Sequence, residues 1–208
     1  MPAVLDLVET TFGLPDLELT ILRPRDSEAL LDESAFEQEE YLPYWAELWP
    51  SGLALARWLA GRRFDGCRVI ELGCGLALPS IVAAARGGRV LATDWSVDAV
   101  AMATLNAHRN GVEVESRLCS WGQPEQIADA GPWDLVLAAD VLYERRSVEL
   151  LLELLPRLIA PAGNVLVADP GRPATPAFLR AAERAWEIRH EQDGLAPAVT
   201  LYRLAPRR

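Results

Sequence analysis

The sequence contains no lysine: apart from two histidines, every basic residue is an arginine, 20 in all. The chain therefore offers no amine side chain of its own to lysine-directed chemistry. His108 and His190 are too few and too far apart in sequence for a metal site or a catalytic triad, and both read as structural. Cys67, Cys74 and Cys119 form an odd set without metal-type spacing, which reads as reduced thiols. Positive charge is scarce overall, with a net charge of −10. A non-specific nucleic-acid binder needs a basic footprint to displace counterions, so nucleic acid is not an expected partner. No apolar run reaches membrane-spanning length, and no basic segment followed by an apolar one opens the chain. The expectation is a cytoplasmic protein without a membrane partner.

What is present is a globular composition. Half of the 208 residues are hydrophobic and 24% are charged, enough for one α/β domain with a full core. Apolar runs at 67–72, 89–93, 112–119, 133–139 and 164–169 predict strands. Helical periodicity over 51–60, 78–86, 97–110, 146–159 and 175–186 alternates with them. The pairs 187–192 and 199–204 read as a closing antiparallel hairpin. This order predicts a doubly wound, mostly parallel sheet. Ser51 and Ser96 are expected helix caps, and Pro161-Ala-Gly163 an expected turn. Residues 1–45 read as an N-terminal extension with a short strand at Leu17–Leu22, ahead of a main domain at 46–208. Asp26 to Glu40 carries seven carboxylates and no basic residue. It reads either as a solvated segment or as an acidic rim for a cationic substrate.

The most informative stretch is Val69-Ile-Glu-Leu-Gly-Cys-Gly-Leu-Ala-Leu-Pro-Ser80, followed by Val90-Leu-Ala-Thr-Asp94. A buried strand ends in Glu71, then Gly73-x-Gly75, then a helix; a second strand ends in Asp94. Glycines at 73 and 75 let backbone approach a ligand that a Cβ would push away. A carboxylate at 94 is placed to accept ribose hydroxyls. An adenosine-containing cofactor follows. A dinucleotide fingerprint would need a small residue three places after Gly75, but Leu78 stands there and Pro79 follows. A nicotinamide oxidoreductase is thereby disfavoured.

The spacing Glu71-x-Gly73-x-Gly75-x-Ala77 instead resembles the first motif of the class I, seven-strand S-adenosylmethionine-dependent methyltransferases, with Ala77 replacing the usual third glycine. Trp45-Ala-Glu-Leu-Trp49-Pro-Ser-Gly, Ser120-Trp121-Gly and Asp140-Val-Leu-Tyr143 together resemble the lysine methyltransferase branch known as methyltransferase family 16. Pro43-Tyr-Trp-Ala-Glu-Leu-Trp-Pro and Asp169-Pro-Gly-Arg172 are most similar to the enzymes that methylate the β-subunit of electron-transfer flavoprotein. The resemblance implies a seven-stranded sheet and S-adenosyl-L-methionine as cofactor. It implies cofactor contacts from the loop Gly73, Cys74, Gly75, from Glu71 and Asp94, from Trp49, Trp95 and Trp121, from Ser120, and from the Ala139 carbonyl. Glu71 has two roles open, meeting the cofactor's ammonium or accepting loop N–H groups. Asp140 and Tyr143 are the expected catalytic pair, orienting an acceptor amine. Trp58, Trp133 and Trp186 read as packing. Cys74 is not a nucleophile, since the loop motif explains its position. No metal is expected. The implied partner is a protein carrying an acceptor lysine. A small-molecule amine acceptor on the same fold, or a cofactor-binding module without catalysis, are the alternatives.

Overall fold

The computed structural model describes residues 6–27, 30 and 44–207. A hairpin comes first, with β1 at Leu7–Leu14 and β2 at Leu17–Pro24. After a 3-10 turn at Tyr44–Ala46, helices and strands alternate. They run α1 (Pro50–Ala60), β3 (Arg68–Leu72), α2 (Leu78–Ala85), β4 (Arg89–Asp94), α3 (Val97–Arg109), β5 (Val114–Leu118), α4 (Glu125–Asp129), β6 (Trp133–Ala139), α5 (Arg145–Leu158), β7 (Ile159–Asp169), α6 (Thr175–Ala182), β8 (Trp186–Asp193) and β9 (Ala196–Pro206). The main sheet has seven strands in the order β5-β4-β3-β6-β7-β9-β8. Strands β3 to β7 pair in parallel, and β9 slots antiparallel between β7 and β8. The expected doubly wound, mostly parallel architecture is what forms. Among the described residues no helix is long and apolar enough to cross a membrane.

The sheet is buried on both faces, and the period of two along each strand divides the core. Val69 on β3, Leu135 and Leu137 on β6 and Leu166 on β7 face a cluster with α1, α2 and the N-terminal hairpin. Ile70 and Leu72, Val136 and Ala138, and Val165 and Val167 face a second cluster with α5 and α6. Strand order reverses at β3, which has β4 on one side and β6 on the other. Their carboxyl ends therefore diverge, and a crevice opens between the loops that leave them.

The hairpin has no core of its own: Leu19 and Ile21 are buried in the first cluster. Two asparagines of α3 dock it. Asn106 accepts from the Leu22 N–H (2.8 Å) and donates back to the Leu22 carbonyl (3.0 Å). Asn110 does the same for Thr20, at 2.9 and 2.8 Å. Residues four apart on a helix are separated by about 6 Å, and residues two apart on a strand by nearly the same distance. The two amides thus pair with an extended backbone as a neighbouring strand would. Asn106 also donates to the Leu76 carbonyl (3.2 Å), tying the hairpin to the loop after β3.

Several local expectations are corrected. Ser51 does not cap α1. Trp49 occupies the cap position without a side-chain bond, Pro50 opens the helix, and the Ser51 hydroxyl is buried without a partner. Proline at the first helical position presets φ and moves the start one residue upstream. Ser96 does cap α3, accepting from Ala99 N–H at 3.3 Å. Pro161-Ala-Gly163 is not a turn between elements but a bulge inside β7, where Ile159 pairs with Trp133 and Asn164 with Leu135. A Cβ on Gly163 would lie 2.9 Å from the Trp133 carbonyl oxygen, so the bulge needs glycine. The last helix stops at Ala182 rather than 186, because Trp186 is recruited into β8 and buried. Strand β1 and helix α4 are additions.

Asn106→Ala should destabilise the protein by about 2–4 kcal/mol, since it orphans backbone groups of Leu22 and Leu76 together. Asn110→Ala should cost about 1 kcal/mol. Urea unfolding measures both. A loss below about 0.5 kcal/mol for Asn106→Ala, typical of an inert surface site, would remove the docking role.

Candidate active site

The chain leaves β3 and enters α2 through residues that alternate into the left-handed region: Gly73 (φ 68°), Gly75 (φ 50°) and Ala77 (φ 61°). Space is tight at the first two positions as well. A Cβ on Gly73 would meet Val141 Cγ1 at 3.3 Å, and one on Gly75 the Trp45 carbonyl oxygen at 3.1 Å. Ala77, where the sequence departs from the usual third glycine, keeps the same backbone geometry at a cost of about 1–2 kcal/mol. Its methyl is fully buried, and its N–H bonds to the Cys74 carbonyl at 2.7 Å.

Two strand-end carboxylates hold this turn. Asp94, ending β4, accepts the Gly75 N–H on Oδ2 (2.9 Å) and the Ser96 N–H on Oδ1 (3.0 Å). Burial pushes its pKa up, and the backbone donors pull it back. Glu71, ending β3, is 1% exposed and accepts from both the backbone N–H of Ser80 (2.9 Å) and the Ser80 hydroxyl. Of the two roles open to Glu71, the geometry assigns the structural one: it caps the first turn of α2. Desolvation raises its pKa to about 8, overriding the two Ser80 bonds. Cys74, buried beside both carboxylates, has its thiol pushed well above its ordinary value, which leaves it unreactive.

Above this turn lies a cavity of about 380 Å³ at the point of strand reversal. The twelve site residues expected from sequence all line it: Trp49, Glu71, Gly73, Cys74, Gly75, Asp94, Trp95, Ser120, Trp121, Ala139, Asp140 and Tyr143. They arrive from five separate segments. Trp95 and Trp121 stand near Asp94 and Gly73 respectively, with Trp121 half-buried and Trp95 44% exposed. Their indole faces are suited to a flat heteroaromatic ring. Among the described residues no group of three His, Cys, Asp or Glu side chains is placed to hold a metal.

The other end of the cavity is built around Asp140. Its backbone is left-handed (φ 57°), and its N–H bonds to the Ala168 carbonyl of β7 at 2.9 Å. Its Oδ1 accepts from Arg172 Nε at 2.7 Å, while Oδ2 is buried without a partner in the protein. Tyr143 stands beside it in an edge-on aromatic row. Its ring centroid is 5.6 Å from that of Tyr44, which lies 6.1 Å from that of Trp49. Trp49 Nε1 donates to the Tyr44 carbonyl at 2.8 Å. Burial, then the nearby Glu144 and Asp94 charges, push the Tyr143 phenol up to about 12. It keeps its proton at neutral pH, which makes it available as a hydrogen-bond donor rather than as a base.

Sequence reasoning gave no role to Tyr44, Ser80 or Arg172. Arg172 was visible as part of Asp169-Pro-Gly-Arg172, but nothing in sequence shows that it reaches Asp140. The acidic run from 26 to 40 falls largely outside the described residues, and so does Pro43; only Asp26, Ser27 and Leu30 of that run are described.

A family model described as lysine methyltransferase matches residues 33–184. The chain is 38% identical over 136 residues to the electron transfer flavoprotein beta subunit lysine methyltransferase of Xenopus laevis, covering 62% of this chain and 53% of that one. It is 36% identical over 132 residues to EEF1A lysine methyltransferase 3 of Mus musculus, covering 61% and 56%. The match thus spans about half the length of these relatives. Among solved structures, the ribosomal protein L11 methylase of Lactobacillus delbrueckii subsp. bulgaricus superposes with a TM-score of 0.57 at 26% identity, over 74% of this chain and 77% of that one.

The raised Glu71 sets a pH dependence. The folded state holds a proton that the unfolded chain releases near 4.5, so stability is lost as pH rises from there to about 8. Glu71→Gln, which keeps an acceptor for Ser80 without a charge, should flatten that loss and make the ligand-free protein more stable than wild type at pH 8. Urea midpoints across this pH window test it; parallel curves for the two proteins would mean that Glu71 is not buried neutral.

Proposed function

Since the chain belongs to the lysine methyltransferase family, we propose that it transfers a methyl group from S-adenosylmethionine to the side-chain amine of a lysine on another protein. The observation that carries this reading is the pairing, in one cavity, of the glycine turn held by Asp94 with a buried carboxylate oxygen of Asp140 that has no protein partner. The residues fit the cofactor. The turn presents backbone rather than side chains, Asp94 retains lone pairs beyond its two backbone bonds, and Trp121 and Trp95 offer apolar faces. S-adenosylmethionine supplies a methyl carbon on a sulfonium, and the acceptor nitrogen forms its bond to that carbon as the carbon–sulfur bond breaks and its electron pair goes to sulfur.

The protein's own part is positioning, which accounts for much of the acceleration available to such a displacement. Asp140 Oδ2 can accept one N–H of the acceptor amine. The neutral Tyr143 hydroxyl can direct a second contact. The aromatic row of Tyr44, Trp49 and Tyr143 forms a narrow apolar wall along which a four-carbon lysine stem can lie while its nitrogen reaches Asp140. A protein acceptor also agrees with the chain's own composition, because a chain without lysine cannot modify itself at that residue.

The test is transfer of tritiated methyl from S-adenosylmethionine to a host lysate, with electron-transfer flavoprotein as the first purified acceptor and acid hydrolysis to identify the labelled amino acid. Methyl-lysine in a discrete protein band is expected. Label confined to small molecules would sink the reading in favour of a small-molecule amine.

Calorimetry should show S-adenosylhomocysteine binding and no NAD binding, with Asp94→Ala weakening the former by about 1–3 kcal/mol. Asp140→Asn should lower turnover about ten-fold or more while cofactor affinity moves little. If affinity falls in step with turnover, Asp140 belongs to the cofactor side of the cavity.

A further inference from the structure

A buried carboxylate facing a lysine amine poses a problem for methyl transfer. A nearby negative charge favours the protonated ammonium, whose lone pair is occupied. Asp140 has a side chain only 4% exposed, so solvent screens it weakly. The structure places an arginine against it. Arg172 Nε lies 2.7 Å from Asp140 Oδ1, and its guanidinium carbon lies 5.8 Å from the centre of the Trp49 ring.

This arginine is built into position. Asp169, at the end of β7, accepts the Gly171 N–H (2.8 Å), the Arg172 N–H (2.9 Å) and the Thr175 hydroxyl (2.6 Å) on a single oxygen. Gly171 turns through φ 87° to bring Arg172 back over the sheet edge. The hydrogen bond to Asp140, with its charge and that of Asp169, holds the guanidinium firmly protonated. The loop is thus fixed from below by one aspartate so that its arginine meets another.

Resting on the methyltransferase reading above, we propose that Arg172 is a positioning residue that cancels the charge of Asp140, so that the acceptor lysine is held as the neutral amine while Asp140 Oδ2 still aims it. One Asp140 oxygen is spent on Arg172, and the other accepts a single N–H of the amine. The proton lost by the incoming ammonium goes to solvent before transfer. The nitrogen lone pair then forms the N–C bond as the C–S bond breaks, its pair going to sulfur, and the methylated ammonium leaves by the same route.

Other titratable groups face this point, of which the Tyr143 phenol and, below about pH 8, Glu71 are neutral. Tyr143 and Glu144 follow Asp140 on the same loop, and Arg146 lines the cavity from α5. Asp94 and Glu71 lie towards β4 and β3. Tyr44 and Glu47 come from the segment before α1, and Asp169 lies behind Arg172. Carboxylates outnumber cations here, so the loss of Arg172 leaves a strongly ammonium-favouring site.

The experiment is the pH dependence of single-turnover methyl transfer from tritiated S-adenosylmethionine to host-lysate protein, between about pH 6 and pH 10, below the usual lysine value. Arg172→Gln should move the acid limb of the rate up by about one pH unit or more. Its rate, depressed at neutral pH, should recover at high pH, with S-adenosylhomocysteine affinity within about two-fold of wild type. Arg172→Lys keeps the charge and should keep the limb in place, even at a lower rate. The double variant Asp140→Asn, Arg172→Gln removes both charges, the first isosterically and the second with a shorter polar side chain, and should return the limb to its wild-type position. It also covers the case in which Arg172→Gln alone fails to fold. A limb that stays put in Arg172→Gln, a rate lowered equally at every pH, or a raised limb in the double variant overturns the proposal. A wild-type protein that binds S-adenosylhomocysteine but transfers no label at any pH overturns the methyltransferase reading itself, and this proposal with it.

Discussion

The structure turns on how β3 becomes α2. Between Leu72 and Leu78 the backbone must reverse direction, start a helix and leave a surface without side chains facing the cavity. It does so with left-handed residues at every second position, 73, 75 and 77. Such a turn has N–H groups pointing away from any regular partner, and unpaired buried donors are costly. Glu71 and Asp94 meet that need from below, through Ser80 and Gly75. Both carboxylates owe their burial to lying at the ends of the central strands. The ligand-facing surface and the strand-end acids are therefore one unit. Removing either acceptor would leave buried donors of the turn or of the first turn of α2 without a partner.

That unit is braced from the N-terminal side. Asn106 reaches the Leu76 carbonyl with the same amide that pairs with Leu22. The Trp45 carbonyl oxygen packs 3.1 Å from where a Cβ on Gly75 would fall. Residues that precede the main domain in sequence thus set the height of the turn. The hairpin and the segment before α1 are part of the site's support, even though Leu19 and Ile21 are what fasten the hairpin to the core.

The opposite end of the cavity follows another logic. Near the glycine turn, the carboxylates are anchored by hydrogen bonds from Gly75, Ser96 and Ser80. Near Asp140 one oxygen is deliberately left free: Arg172 takes Oδ1, and nothing takes Oδ2. The phenol of Tyr143, held protonated, and the edge-on stack with Tyr44 and Trp49 complete a wall that is apolar along its length and polar at its base. Anchored acids at one end suit a bound group held in a fixed pose. A free acceptor at the other suits a group that arrives, reacts and leaves.

The parallel sheet and the glycine turn were legible in the sequence because each rests on a local signal, while Trp49, Trp95, Ser120, Trp121 and Ala139 of the cavity lining were expected through the resemblance of their motifs to the lysine methyltransferase branch. Strands buried on both faces read as continuous apolar runs, left-handed positions ask for glycine, and strand ends place Glu71, Asp94 and Asp140 at one edge by topology alone. Elements set by distant partners were not legible. The bulge at Gly163 exists because Ile159 must pair with Trp133, and helix α6 ends early because Trp186 is needed in β8. The duty of Glu71 towards Ser80, the docking of β2 by Asn106 and Asn110, and the meeting of Arg172 with Asp140 are contacts between residues far apart along the chain or facing across a turn. Sequence by itself determined which backbone could approach a ligand and which carboxylates stood near it. Only the tertiary structure decided which of those carboxylates were already engaged, because a hydrogen bond depends on where the donor folds to, and no local pattern carries that information.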